Sequence, residues 1–308
     1  MNAADGNLTG MRIPDFFIIG APKCGTTALT EYLSEHPAIC FARTKETHFF
    51  ADDFKRKDDN FAGYWRRNFS YFDPRRHRAI GEASGTYYIS DVAVENILKQ
   101  NPAAKFIYMV RDPVEMIHSL YYELRFGNSE NTSLEEGWDL QAARAQGRNI
   151  PPQCIEPTFL QYRAMGSLGR RLEALKKRIL PGQLFVVVLD DLIVGPKKVY
   201  EDVLSFIGVP SDGREVFPQV NSNKVQRSRL LGYLTASLPL WLHKGVREFK
   251  HLAGLSHVPL NFLVRLNAKP ARRPPLAEDF RKRLTREFEP EVRLLERQLG
   301  RDLSHWRA

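Results

Sequence analysis

The sequence predicts an α/β fold in three layers, a central parallel sheet flanked on both faces by helices. Two observations carry this. Short runs that are apolar almost throughout, such as Phe16–Ile19, Lys105–Val110 and Leu184–Leu189, recur along the chain, as strands do when both faces are covered. Segments of helical period lie between them, and strand alternating with helix is the order that builds a parallel sheet. Phe16–Ile19 is the first strand, ended by Gly20. A helix follows over Thr26–His36 and stops before Pro37; Ala38–Phe41 is the second strand and Ala79–Gly81 the third. A helix then runs from Asp91, an N-cap residue type, to Gln100. Lys105–Val110 is the next strand, and Pro113 is placed to open the helix after it. Leu184–Leu189 is rich in β-branched residues; Pro196 starts a helix that ends near Gly208. Pro and Gly are scattered over 209–275, and the last element is an amphipathic helix over Pro275–Leu299, stopped by Gly300.

The 308 residues are 43% hydrophobic and 26% charged, which suits one large globular domain over 1–308 with a flexible start at 1–13. Residues 221–308 hold 18 basic and 8 acidic side chains, so the net charge of +9 resides in the last third. Three cysteines, Cys24, Cys40 and Cys154, are too few for a disulfide scaffold and fit a reducing cytoplasm. Met1–Pro14 lacks the apolar core of a signal peptide, and the longest apolar stretch, Leu230–Leu242, contains Pro239 and is 13 residues long. A membrane span needs about 20. Disordered, collagen-like, disulfide-rich and membrane-spanning classes are thereby excluded.

The first strand runs into Gly20-Ala21-Pro22-Lys23-Cys24-Gly25-Thr26-Thr27. The glycine spacing is that of the P-loop G-x-x-x-x-G-K-[ST], but Thr26 stands where the lysine belongs, and Lys23 lies inside the loop. A strand–loop–helix turn aims backbone N–H groups and the positive end of a helix at an anion. Alone, the pattern says anion-binding loop, with a plain βα turn as the structural alternative.

Pro22–Thr27 resembles the 5′-phosphosulfate loop of sulfotransferases that use 3′-phosphoadenylyl sulfate (PAPS), whose lysine is shifted in this way. Arg111-Asp112-Pro113 with Ser119 resembles that family's 3′-phosphate motif, an Arg at a strand end and a Ser eight residues on. Lys45-Glu46-Thr47-His48-Phe49-Phe50 and Gly81-Glu82-Ala83-Ser84-Gly85-Thr86-Tyr87-Tyr88 resemble segments of the glycan and heparan sulfate sulfotransferases, and Arg293–Trp306 resembles the family's closing helix. Three positions depart: Gly85 replaces the usual Pro, Ala83 stands where some relatives carry Lys, and Met116 where many bacterial ones carry Arg. The resemblance implies a P-loop-like fold and transfer of a sulfuryl group from PAPS to a hydroxyl, of a carbohydrate or glycolipid first, and of a small-molecule or lipid alcohol as the alternative. No metal is required in this chemistry.

By the same resemblance Lys23, Cys24, Gly25, Thr26 and Thr27 hold the phosphosulfate end, Arg111 and Ser119 hold the 3′-phosphate, and Glu46 is the general base with His48 as helper. Guanidinium is a natural fork for phosphate oxygens. If the Lys45–Phe50 segment is extended, Glu46 and His48 share one strand face. Structural alternatives stand beside these roles: Arg111 paired with Asp112 or Glu115, Glu46 paired with Lys45 or Arg43, His48 a plain hydrogen-bonder, and Cys24 a filler of the loop. Phe49, Phe50, Trp65 and Tyr87 are candidates either for a sugar site or for the core. Region 209–275 is assigned to the acceptor side. Its basic stretch 229–273, with Lys244, Arg247 and Lys250, is read as a solvated face, an anionic-acceptor wall or a peripheral membrane contact. Lys224, Arg227 and Arg229 are loose candidates for late cofactor contacts. Two other classes are disfavoured: a P-loop phosphotransferase would need lysine after Gly25, and no nucleic-acid-binding motif accompanies the basic residues.

Overall fold

A computed structural model describes residues 11–54, 60–219 and 273–307, with the backbone of Lys224–Gln226 and Ala268–Pro270. Its described residues form two compact units. The first comprises those up to Met116, from Ala164 to 219, and from Lys282 onward.

The first unit contains strands β1 (Phe16–Gly20), β2 (Ile39–Phe41), β3 (Ala79–Ala83), β4 (Lys105–Val110) and β5 (Leu184–Val188). They form one sheet in the order β2-β3-β1-β4-β5, and every pairing is parallel. The runs that the sequence marks as apolar are its core: Phe16 to Ile19 and Phe106 to Val110 are fully buried, and Phe17 stacks on Phe106 across the β1–β4 pair. Flanking helices include α1 (Thr26–Ser34), α2 (Phe61–Phe69) and α3 (Ala93–Gln100). Several boundaries differ from the sequence reading: α1 ends at Ser34, β3 runs on to Ala83, the last helix begins at Glu278, and two more differences have a local cause. Leu189 leaves the β5 run to begin a short helix, because Asp190 and Asp191 follow as acidic residues of a first helical turn. Asp91 is not the N-cap of α3: Ser90 Oγ accepts the N–H groups of Val92 (3.3 Å) and Ala93 (2.9 Å), while Asp91 stays exposed.

Helix α4 (Pro113–Phe126) opens at the proline as the sequence implies, and its later turns belong to the second unit, with α5 (Leu134–Asp139) and α6 (Gln141–Ala145). That unit contains a fully buried ion pair. Arg144 donates to both oxygens of Glu130 (2.7 and 2.8 Å), and Tyr162 donates to one of them (2.8 Å). It also includes strands Lys224–Gln226 and Ala268–Pro270, paired antiparallel. Residues 229–267, 271 and 272 of the basic stretch, including Arg229, Lys244, Arg247 and Lys250, lie outside the described residues, as do Arg227 and residues 1–10. Among the described residues no helix is long and apolar enough to cross a membrane.

Candidate active site

In this sheet the chain leaves the central strand β1 for β2 and β3 on one side, then crosses to β4 and β5 on the other. The carboxyl ends of β1, β3 and β4 therefore meet at a topological switch point, where open α/β sheets bind ligands. The predicted phosphosulfate loop leaves β1 there. Ala21 N–H donates to the Met109 carbonyl on β4 at 2.7 Å. Gly25, in the left-handed conformation at φ 88, immediately precedes α1. A side chain is strained at that φ, and a Cβ at Gly25 would also crowd Leu189 Cδ1 at 2.7 Å, so glycine suits this turn. The first N–H groups of α1, at Thr26 and Thr27, have no partner within the helix by geometry.

The Cys24 side chain points away from this role. It is fully buried, donates to the Pro22 carbonyl at 3.6 Å, and burial pushes its thiol up to about 12. It fills the loop and carries no thiolate at neutral pH. Arg111, just past β4, donates from Nη1 to the Lys23 carbonyl at 3.1 Å, and its Nη2 lies 4.0 Å from Glu115. Asp112 instead caps α4 by accepting the Val114 N–H at 2.8 Å. Ser119 is buried on the part of α4 that belongs to the second unit.

The segment after β2 is not extended. Glu46 and His48 sit at φ 58 and 53, so the expectation that they share a strand face is corrected. They are instead attached to successive residues of the loop after β3. Glu46 Oε1 accepts the Gly85 N–H at 3.1 Å, and His48 Nδ1 lies 3.1 Å from Thr86 Oγ1. Proline at 85 would have no N–H to give, so the Gly85 departure supplies a contact to Glu46. A Cβ at 85 would stand 3.2 Å from the same carboxylate oxygen. The pairing of Glu46 with Lys45 is present too, at 3.9 Å. Phe50, Trp65 and Tyr87 are buried and belong to the core, and Phe49 stacks on Tyr64 with ring centroids 4.3 Å apart.

Among the described residues, the non-glycine positions with positive φ are Lys23, Glu46, His48, Asn128 and Asn149. Asparagine tolerates this conformation. For Lys23 and Glu46 it is costly, and such residues persist where their surroundings over-determine them, typically at functional sites. What holds Glu46 and His48 was not read from sequence. Glu82, fully buried on β3, accepts hydroxyl donations from Thr47 (2.7 Å), Ser84 (2.8 Å), Tyr87 (2.9 Å) and Tyr64 (2.5 Å). Thr47 lies between the two left-handed residues. Ser84 Oγ accepts the His48 N–H at 3.3 Å, and Tyr87 OH accepts the Phe50 N–H at 3.2 Å. Glu46 N–H donates to the Ala83 carbonyl at 2.9 Å. One buried carboxyl thus pins the Glu46–Phe50 backbone from beneath; the Gly-Glu-x-Ser pattern in the sequence was its signal. Burial raises Glu82 above the ordinary carboxyl value, with the hydroxyl donors pulling the other way.

A family model described as the sulfotransferase domain matches residues 13–231, well over half of the chain. The chain belongs to the sulfotransferase family. The chain is 28% identical over 204 residues to mouse heparan sulfate glucosamine 3-O-sulfotransferase 5, covering 65% of this chain and 54% of that protein. It is 24% identical over 204 residues to human bifunctional heparan sulfate N-deacetylase/N-sulfotransferase 2, covering 64% of this chain and 22% of that one. The chain therefore spans about half of the first relative and about a fifth of the second. Among solved structures, a sulfotransferase from Alicyclobacillus acidocaldarius superposes with a TM-score of 0.70 at 26% identity, covering 97% of this chain and all of that one. The P-loop-like α/β fold that the resemblance implies is the fold of the family.

Proposed function

We propose that this sulfotransferase moves a sulfuryl group from PAPS to a hydroxyl of a carbohydrate acceptor, with a lipid or small-molecule alcohol as the second reading. The observation that carries this is the meeting of three loops at one end of the sheet: Lys23 after β1, the Gly85 and Thr86 contacts of Glu46 and His48 after β3, and Arg111 after β4. Both heparan sulfate relatives favour a carbohydrate acceptor, and the name of the 3-O-sulfotransferase favours a hydroxyl of it.

In the reaction the acceptor oxygen forms a bond to sulfur as the bond from sulfur to the donor's phosphate oxygen breaks. The electron pair of the broken bond stays on that phosphate oxygen, and the acceptor proton passes to Glu46. Sulfate ester and adenosine 3′,5′-bisphosphate leave. Lys23 and the N–H groups at the start of α1 stabilise the charge that grows on the leaving oxygen, the preorganised stabilisation that dominates such transfers. Glu46 is fixed through Oε1 by the Gly85 N–H, with His48 held beside it on Thr86. Arg111 grips the 3′-phosphate, for which the resemblance also names Ser119.

Incubation with labelled PAPS and a panel of glucosamine-containing oligosaccharides, glycolipids and simple alcohols, with and without excess EDTA, tests the reading. Label in an oligosaccharide or glycolipid, undiminished by EDTA, is the expected result. Label only in simple alcohols would favour the second reading, and label in none of them would reject both. The basic stretch 229–273 is proposed as a peripheral contact with anionic membranes; sedimentation with anionic and neutral vesicles tests it, and binding to neither removes it.

A further inference from the structure

We propose that Lys45 is a second cation of the donor site, which holds the Thr26 and Thr27 hydroxyls as hydrogen-bond donors toward the phosphosulfate group and adds its charge to that of Lys23. The inference rests on the reading of the Gly20–Thr27 loop as the site for that group. Lys45 Nζ donates to Thr27 Oγ1 at 2.9 Å and to Thr26 Oγ1 at 3.1 Å, and lies 3.9 Å from Glu46 Oε1. Its side chain is 29% exposed, so its charge is only partly screened by water.

The sequence makes this placement pointed. Thr26 occupies the position that a P-loop lysine would hold. The chain brings an ammonium to that hydroxyl from the segment after β2, 19 residues away. A threonine hydroxyl has one proton to give and two lone pairs to receive. Within a helix it commonly turns its proton back to a backbone carbonyl of the preceding turn. An ammonium donating into the oxygen occupies lone-pair capacity and repels the hydroxyl proton, which then turns outward. At Thr26 and Thr27 outward is the side of the open N–H groups of α1, where an anion would sit. The two hydroxyls thus extend the N–H set, with Lys23 entering from within the loop. Lys45 also adjoins Glu46 across 3.9 Å, and so links the donor loop to the proposed base.

Two duller roles compete: a structural brace for the whole donor site, or a clamp for Glu46 alone. Calorimetric titration of the full chain separates them, using wild type, Lys23→Ala and Lys45→Met with two ligands. Adenosine 3′,5′-bisphosphate carries the 5′-phosphate that would occupy the loop; adenosine 3′-monophosphate lacks it. Lys45→Met is expected to weaken the bisphosphate by about 10- to 100-fold, the worth of charge-assisted contacts, and to leave the monophosphate within about twofold. Equal losses on both ligands would mean a brace, and no loss on either would mean a clamp for Glu46; each overturns the proposal. Failure of wild type to bind the bisphosphate, or indifference of that binding to Lys23→Ala, would instead reject the loop reading and the proposal with it. If Lys45→Met does not fold, Thr27→Val carries the same test, since it deletes one of the oriented hydroxyls.

Discussion

Replacing Glu82 probes how the site is held. Leucine there would strip the acceptor from four hydroxyls, those of Thr47, Tyr64, Ser84 and Tyr87, in a fully buried setting. Each buried hydroxyl left without a partner costs about 1–3 kcal/mol. Thr47 Oγ1 and Tyr87 OH already lie 3.4 Å apart and can pair with each other, which leaves Tyr64 and Ser84 uncompensated. A net loss of about 2–6 kcal/mol follows, a large part of the roughly 5–15 kcal/mol that a domain possesses. Glutamine retains an acceptor oxygen for Thr47, Ser84 and Tyr87 and can donate to Tyr64, so the milder variant should fold. It also removes a titration. Burial raises the Glu82 carboxyl above 4.5 in the folded protein. Its contribution to stability is therefore complete at pH values below the ordinary one and declines as the pH rises through the raised one. Urea unfolding of wild type and Glu82→Gln from about pH 4 to pH 7 should show the wild-type advantage shrinking as the pH rises. An advantage that grows with pH, as for a carboxylate held ionised by a cation, would refute the argument; so would Glu82→Leu unfolding at the wild-type urea concentration.

Lys23→Ala should fold and lose about two orders of magnitude or more in sulfuryl transfer, the scale of one preorganised donor to a growing oxyanion; steady-state rates with PAPS check it. Arg111→Ala should weaken adenosine 3′,5′-bisphosphate by about 10- to 100-fold in calorimetric titration. The smaller loss for a ligand without the 3′-phosphate then measures its bond to the Lys23 carbonyl. Glu46→Gln preserves an acceptor for the Gly85 N–H, so donor affinity should hold while turnover falls and the acidic limb of its pH profile flattens. Cys24 should resist iodoacetamide in the folded protein at neutral pH and label only in denaturant, because burial pushes its thiol up to about 12; mass spectrometry of the tryptic peptide reads the outcome.

The strands were legible because a parallel strand buried on both faces is apolar almost throughout, and β4 has the predicted bounds. Helices were legible where proline or glycine punctuates them, as at Pro113, Pro196 and Gly208. Helix α2 was not, since Phe61, Tyr64, Trp65 and Phe69 are poor helix formers and tertiary burial overrides their propensity. Its Asn60 cap, which accepts the Gly63 N–H, was the available signal. Within the site, the place of the Gly20–Thr27 loop and of Arg111 at the ends of neighbouring strands was legible because each directly follows an apolar run. Glu82 and Lys45 could not, because what they do depends on partners 35 and 19 residues away.

The geometric expectation that failed within the site, an extended Lys45–Phe50 segment, explains how this site is built. An extended segment would have placed Glu46 and His48 side by side with little strain. The chain instead takes two left-handed residues with Thr47 between them, and each reaches a different residue of the loop after β3. That costs backbone energy, which only dense anchoring can offset. The anchoring comes from β3 itself: the Ala83 carbonyl, the Ser84 hydroxyl and the Glu82 carboxyl all belong to that strand or its first loop residue. Since β3 pairs with β1, the strand that carries Lys23 into the site, the proposed base and the proposed leaving-group lysine are referenced to adjacent strands of one rigid sheet. A hydroxyl attacking sulfur in line needs that shared reference, because the rate of a positioned transfer falls steeply with small misplacements.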